Sequence, residues 1–286
     1  MNKNIIKSQI IKNLSFFLSA PAIIWVLGFL YIPLLFTIAI SFIKRWVAAS
    51  WPEFGFDNYL TFFDSVYFTI IYRSLLLACV TTLICFLCAY PIAYFLALRA
   101  RRWKNMLLYL LALPFGVNFV ILAYSWFFVL EKSGLINNIL MAVGLIDEPV
   151  QLLNTPFAIY LGMIYCYLPF MVLPIYAILE KLDIRLIEAS SDLGATPITT
   201  FFRVILPLSL PGIQTGFFMV FVPSFGEYVI PALMGGGKYM YVGSLITHYF
   251  IMLRNIPLGA AFTVFSSLIL LLIALLSYWR FKRAEM

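Results

Sequence analysis

The chain is poor in charge. Of its 286 residues only 11% are Asp, Glu, Lys or Arg, while 64% are hydrophobic and the mean hydropathy is +1.00. A soluble domain of this length must cover its surface with polar side chains, and this composition cannot do so. The remaining solvent is the bilayer, so an integral membrane protein is expected. Histidine is nearly absent: His248 stands alone, in what reads as an outer loop, which excludes H-E-x-x-H zinc sites and multi-histidine clusters by count. There is no G-x-x-x-x-G-K-[ST] loop, so the chain itself is expected to bind no ATP, and no cofactor is assigned to it. Four cysteines, at 79, 85, 88 and 166, all fall inside apolar runs. Cys85 and Cys88 form a C-x-x-C without a neighbouring histidine or acid, which favours packing over metal or redox chemistry. No catalytic residue and no metal ligand is assigned.

What is present is a series of six long apolar segments, at roughly 16–43, 68–98, 106–130, 157–179, 204–234 and 256–281. No Gly/Ser linker, low-complexity tract, obvious repeat or soluble domain interrupts them, so residues 1–286 read as one transmembrane domain, an all-α bundle. The first segment follows Lys3, Lys7 and Lys12 but continues past any plausible cleavage point to Ile43, which marks an uncleaved anchor rather than a signal peptide. The net charge of +7 is spread in short clusters between the spans, the distribution of a topology signal rather than of a nucleic-acid surface. Membrane lipid, not nucleic acid, is the expected surroundings. Lys and Arg concentrate at the N-terminus, in RARRWK at 99–104, in the 180–203 loop and at the C-terminus, with fewer in the alternate loops. Both termini are therefore expected in the cytoplasm. WPEFGFDNYLTFFDSVYF, from Trp51, reads as short interfacial helices on the outer leaflet.

The loop between spans four and five departs from its greasy surroundings. LDIRLIEASSDLGA places Leu182, Leu186, Ala189 and Leu193 at helical spacing, Gly194 offers a stop, and Thr196-Pro197 is a helix-start signal. Pro207 and Pro211-Gly212 are expected to break the entry into span five. A mere connector needs only a few turn residues. A shaped helix with small and apolar side chains between charges suits docking into a groove of a soluble partner, though simple chain reversal stays open.

Glu188-Ala189, Gly194 and Leu206-Pro207 resemble the "EAA" loop of ABC importer permeases, E-A-A-x3-G-x9-I-x-L-P, with Ser190 in place of the second Ala and Val204 in place of Ile. The resemblance implies a type I importer bundle of six transmembrane helices. It also implies that Glu188, Ala189, Asp192, Leu193, Gly194 and Ala195, with Leu206 and Pro207, couple to an ATP-hydrolysing subunit. CAYPIAYFLA at 88–97, YCYLPFMVLPIYAILEKLD at 165–183, SFGEYVIPALMGG at 224–236 and RNIPLGAA at 254–261 are similar to the spermidine/putrescine permeases. That likeness implies a second, homologous permease as partner, two copies of an ATPase using ATP and Mg, and an extracytoplasmic polyamine-binding protein. One position departs: FVILAY has Leu122 where those permeases carry Arg. Permeases for ferric iron or thiamine share much of the plan, and a secondary transporter is the more distant alternative.

Glu227 is the one acid within the six spans, flanked by Pro223, Gly226 and Pro231, and an intramembrane carboxylate is a functional candidate by default. The structural alternatives are contact with water at a span end or pairing with Arg73. With a polycationic solute in view, Glu227 and Tyr228 join Tyr124, Trp126, Tyr165 and Tyr167 as a substrate-path set, the rings offering cation–π contacts. Packing is the alternative for each ring.

Overall fold

The computed structural model describes residues 19–45, 53–100 and 102–285, the side chains at 45, 115 and 281–285 excepted. Residues 16–18 of the first expected span, Lys3, Lys7, Lys12, Trp51, Pro52 and Arg101 lie outside the described residues, as do the side chains of Arg45, Lys282 and Arg283. Six helical segments are long and apolar enough to cross a membrane: α1 (Ser19–Ser41), α2 (Ser65–Leu98), α3 (Phe119–Ala142, interrupted at 131–134), α4 (Pro156–Leu179), α5 (Pro197–Phe225) and α6 (Ile256–Arg280). Among the described residues the fold is all-α apart from two short strands. Several helices begin where a short polar side chain accepts a first free backbone N–H group. Asn118 Oδ1 takes Val120 N–H at 2.9 Å, Thr155 Oγ1 takes Ala158 N–H at 3.3 Å, and Asp183 Oδ1 takes Arg185 N–H at 3.0 Å.

The chain divides into two compact units, residues 1–63 with 249–265 and residues 64–248 with 266–286. In the first unit, strands β1 (Ile43–Arg45) and β2 (Glu53–Phe54) pair antiparallel, Ile43 opposite Phe54. The segment expected to form interfacial helices is thus helical only over Asp57–Thr61, and Ser65 already belongs to α2. The strand pair forms because Gly55 N–H extends the ladder to the Phe42 carbonyl at 2.8 Å. Asn58 Nδ2 then clamps the carbonyls of Ser41 at 3.2 Å and Ile43 at 2.8 Å. The fully buried Phe62 packs between the rings of Phe262, at 5.2 Å, and Phe265, at 5.5 Å.

In the second unit α2, α4 and α5 pack on one another, α3 packs on α4, and a short helix, Val229–Gly235, packs on both α3 and α4. Lipid tails are as apolar as leucine, so such a bundle holds by close packing and interhelical hydrogen bonds rather than by escape from water. Gly212 and Gly216 supply the close approach. A Cβ on Gly212 would lie 2.8 Å from the Pro174 carbonyl, and one on Gly216 would lie 2.7 Å from Met171 Sδ. Tyr90 Oη meets Ser209 Oγ at 3.0 Å between α2 and α5. Ser74 Oγ accepts Val242 N–H at 2.8 Å, and Cys85 Sγ points at the Ile164 carbonyl at 3.8 Å.

Two expected spans differ in course. The stretch 106–130 is broken into helix Lys104–Ala112, a tight turn Leu113–Gly116, and the start of α3. Pro114 and Gly116 are poor interior helix residues, and Asn118 caps a new helix instead of continuing the old one. The fifth span begins earlier, at Pro197, and ends at Phe225, with Val229–Gly235 a separate helix after a non-helical step at Gly226–Tyr228. Pro207 and Pro211 do not break its entry. The backbone instead widens into a π-helical turn over Phe201–Ile205, where Leu206 N–H reaches back five residues to the Phe201 carbonyl. That wider turn gives room opposite the Pro207 ring, whose clash would fall on the carbonyl of Arg203.

Candidate functional site

The loop after α4 is built from local signals. Asp183 caps helix Ile184–Asp192. The helix stops as Leu193 N–H, Gly194 N–H and Ala195 N–H turn back to the carbonyls of Ala189, Ser191 and Ser190. Gly194, at φ +80°, occupies the left-handed region that this closure requires and that glycine adopts without strain. Thr196 Oγ1 then accepts Thr199 N–H at 3.3 Å, with Pro197 in the first turn of α5.

Glu188, Ala189 and Asp192 lie exposed on the short helix, while Leu193 and Gly194 are exposed and Ala195 half-buried in the turn. Leu193 is 89% exposed, and Leu186 on the same face is open as well. The face turned inward carries Ile187, which packs on the bundle core, and Ser190. Leu206 and Pro207 lie beyond the π turn, within α5. The hydroxyl of Ser190 meets Thr200 Oγ1 at 2.6 Å, a contact that no local sequence signal marks. A second unforeseen contact ties the start of this loop: Lys104 pairs with Glu180 and stands 5.5 Å from the Tyr176 ring centroid. The ammonium, and after it the Tyr176 hydroxyl, holds the Glu180 carboxyl below the usual carboxylate range. Glu180 in turn raises Lys104 above the ordinary ammonium value.

Glu227 sits in the non-helical step that follows α5. Its Oε1 accepts Val229 N–H at 2.8 Å, Tyr228 N–H at 3.1 Å and Ile230 N–H at 3.4 Å, capping helix Val229–Gly235. Its Oε2 accepts the Tyr167 hydroxyl of α4 at 2.6 Å. Arg73 is not its partner; among the described residues the ion pairs are Lys44–Asp57 and Lys104–Glu180. The step is hemmed in from helix Val242–Met252, since a Cβ on Gly243 would press on the carbonyl oxygens of Gly226 and Glu227. His248 belongs to that helix rather than to a loop.

The aromatic set divides. Tyr167 is only 6% exposed, so its hydroxyl rather than its ring face is what it presents, and Phe119 packs 6.4 Å from it. Trp126 and Tyr165 form an edge-on pair at 5.2 Å, with Tyr165 exposed. Tyr124 and Tyr228 are exposed. The structure therefore joins Tyr167, Glu227 and Tyr228 directly, and pairs Trp126 with Tyr165. It leaves Tyr124 beside Phe127, 6.4 Å away.

Residues 89–284 match the family described as binding-protein-dependent transport system inner membrane component. The chain is similar to the spermidine/putrescine transport system permease protein PotB of Escherichia coli (strain K12), with 39% identity over 261 residues covering 91% of this chain and 94% of that one. It is also similar to the protein of the same description from Haemophilus influenzae, with 36% identity over 256 residues and 89% of each chain covered. Among solved structures it is similar to a bacterial ABC transporter involved in import of the acidic polysaccharide alginate, with a TM-score of 0.75 at 21% identity, covering 98% of this chain and 99% of that one. The alginate transporter in complex with an alginate pentasaccharide-bound periplasmic protein gives a TM-score of 0.77 at 21% identity, covering 98% and 97%. These two likenesses concern the fold alone.

Proposed function

The chain belongs to the family of binding-protein-dependent transport system inner membrane components, and from that premise we propose that it is a permease subunit of an ATP-driven importer of spermidine and putrescine. It is a multi-pass protein of the bacterial cytoplasmic membrane, and its part in transport is to form half of the pathway, not to catalyse a reaction. The observation that carries the substrate class is 39% identity to a spermidine/putrescine permease sustained over 91% of the chain.

In this account a second homologous permease completes the pathway, two ATPase subunits use ATP and Mg below, and a polyamine-binding protein delivers the solute from outside. Both termini face the cytoplasm. The loop at 184–200 docks on the ATPase through Glu188, Ala189, Asp192, Leu193, Gly194 and Ala195. Support comes from Leu193 and Leu186 standing open on one face of a loop helix whose turn is closed by backbone hydrogen bonds. ATP-driven closure of the ATPase pair moves this turn, and Leu206 and Pro207 at the start of the α-helical part of α5 carry the displacement into the bundle. Glu227 faces the path with the lone pairs that Tyr167 and the helix N–H groups leave free, and ammonium groups of the solute meet it there. Tyr228, Tyr124, Trp126 and Tyr165 line the route, with Tyr167 holding the carboxylate in place.

The reading is tested in vesicles that contain both permeases and the ATPase, with polyamine-binding protein outside and ATP inside. Labelled spermidine should accumulate only when all components and ATP are present. Accumulation without the ATPase would indicate an ion-driven carrier. Failure with polyamines but success with another bound solute would leave the permease role and replace the substrate.

A further inference from the structure

We propose that the Ser190–Thr200 hydroxyl pair fastens the exposed loop helix to the first turn of α5, so that the two move as one piece and the flexing is confined to the π turn at Phe201–Ile205. The proposal rests on the coupling role given above to this loop.

Its basis is the order of contacts along the chain. Ser190 Oγ and Thr200 Oγ1 are 2.6 Å apart, Thr200 is buried, and the two stand ten positions apart in sequence, on either side of the Gly194 turn. The Gly194 turn is the chain's own link between helix and helix, held by the backbone hydrogen bonds of residues 193–195. The hydroxyl pair closes that link into a ring. The next five residues form the π turn, a wider winding than the flanking α-helix and one met mostly as single turns at functional sites. The ring of Tyr90 on α2 packs 5.4 Å from Phe201 at the start of that turn, while its hydroxyl meets Ser209 one turn past its end. The segment is thus held at both ends and wound loosely between them. A push on an unfastened loop helix would be absorbed at Gly194, whereas a push on the fastened one arrives at residue 201.

Ser190→Ala and Thr200→Val, singly and together, are measured in the reconstituted complex for ATP hydrolysis, ATPase co-purification and spermidine uptake. The expected result is about a three- to ten-fold fall in solute moved per ATP hydrolysed, with co-purification unchanged and Ser190→Thr restoring the ratio. An unchanged ratio in the double variant overturns the proposal. A second variant pair, Ser190→Cys with Thr200→Cys, replaces the hydrogen bond by a covalent one. Uptake that survives oxidation supports movement as one piece, and uptake abolished by oxidation but restored by reduction shows that the pair must part. Co-purification distinguishes the two levels: if Ser190→Ala leaves the ATPase bound and Glu188→Arg also leaves uptake untouched, it is the coupling role of the loop that fails, not the fastening alone.

Discussion

The Tyr167 hydroxyl donates to Glu227 Oε2 at 2.6 Å, joining the middle of α4 to the break that follows α5. The other carboxylate oxygen caps the next short helix. One side chain thus fixes the geometry of the break and remains partly open on it. A hydrogen bond to a charged group contributes more than a neutral one, about 1.5–3 kcal/mol against about 1.

Glu227→Gln keeps one oxygen to accept the cap N–H groups, and its amide N–H can donate to the Tyr167 hydroxyl instead of a carboxylate oxygen accepting from it, but the charge is removed. If ammonium groups of the solute meet this carboxylate, spermidine uptake should fall about 5- to 30-fold, the equivalent of ~1–2 kcal/mol, with little change in the thermal stability of the subunit. Tyr167→Phe should affect uptake less, because the charge stays while its orientation loosens. Wild-type uptake by Glu227→Gln, measured with saturating binding protein, would return Glu227 to a capping role alone.

Packing between α4 and α5 makes a sharper prediction. Gly212→Ala places a methyl group 2.8 Å from the Pro174 carbonyl, and overpacking of this kind is expected to destabilise by about 1–3 kcal/mol. Gly226→Ala has open space around its α-carbon and φ −94°, so it should be neutral. Thermal unfolding of the purified subunits in one detergent compares the two; equal melting points would contradict the close contact.

The Lys104–Glu180 pair gives a pH signature. Because the folded carboxyl is held below its usual range, its contribution to stability is present above the unfolded carboxyl's value of about 4.3 and is lost as pH falls through the lower, folded value. Lys104 is raised, so its side of the pair is present below about 10.4 and is lost only as pH rises through its higher, folded value. The melting-point difference between wild type and Glu180→Gln should be small, constant through neutral pH, and should vanish in acid. The pair is solvent-exposed, so salt should shrink the difference too.

The loop at 183–200 was legible in the sequence because its stops and starts are local: Asp183, Gly194, Thr196 and Pro197 each act within a turn of where they stand. The six apolar spans were legible for a related reason, since hydropathy reports what a segment dissolves in. Hydropathy does not report whether the backbone is continuous. The break at 113–118 therefore hid inside an apolar run, although Pro114, Gly116 and Asn118 carry its signal. The entry to α5 is continuous despite Pro207 and Pro211, because helix breakers act only as far as the local winding lets them, and the π turn upstream makes room for Pro207. The pairs Ser190–Thr200 and Tyr167–Glu227 are products of tertiary packing, ten and sixty residues apart, and no local pattern announces them.

Glu188→Arg reverses the charge on the exposed face of the loop helix without touching the inward face of Ile187 and Ser190. ATP hydrolysis stimulated by loaded binding protein should fall at least ten-fold, about 1.4 kcal/mol, together with uptake, while the subunit stays folded. Unchanged uptake would remove Glu188 from the contact.

The most direct test places a cysteine at Leu193 and a thiol cross-linker in the assembled complex. The account predicts a cross-link between residue 193 and the ATPase subunit, together with labelling of Leu193→Cys from the cytoplasmic side when the ATPase is stripped away. Labelling from the outside, or a complete complex in active transport that yields no cross-link to the ATPase, would contradict it.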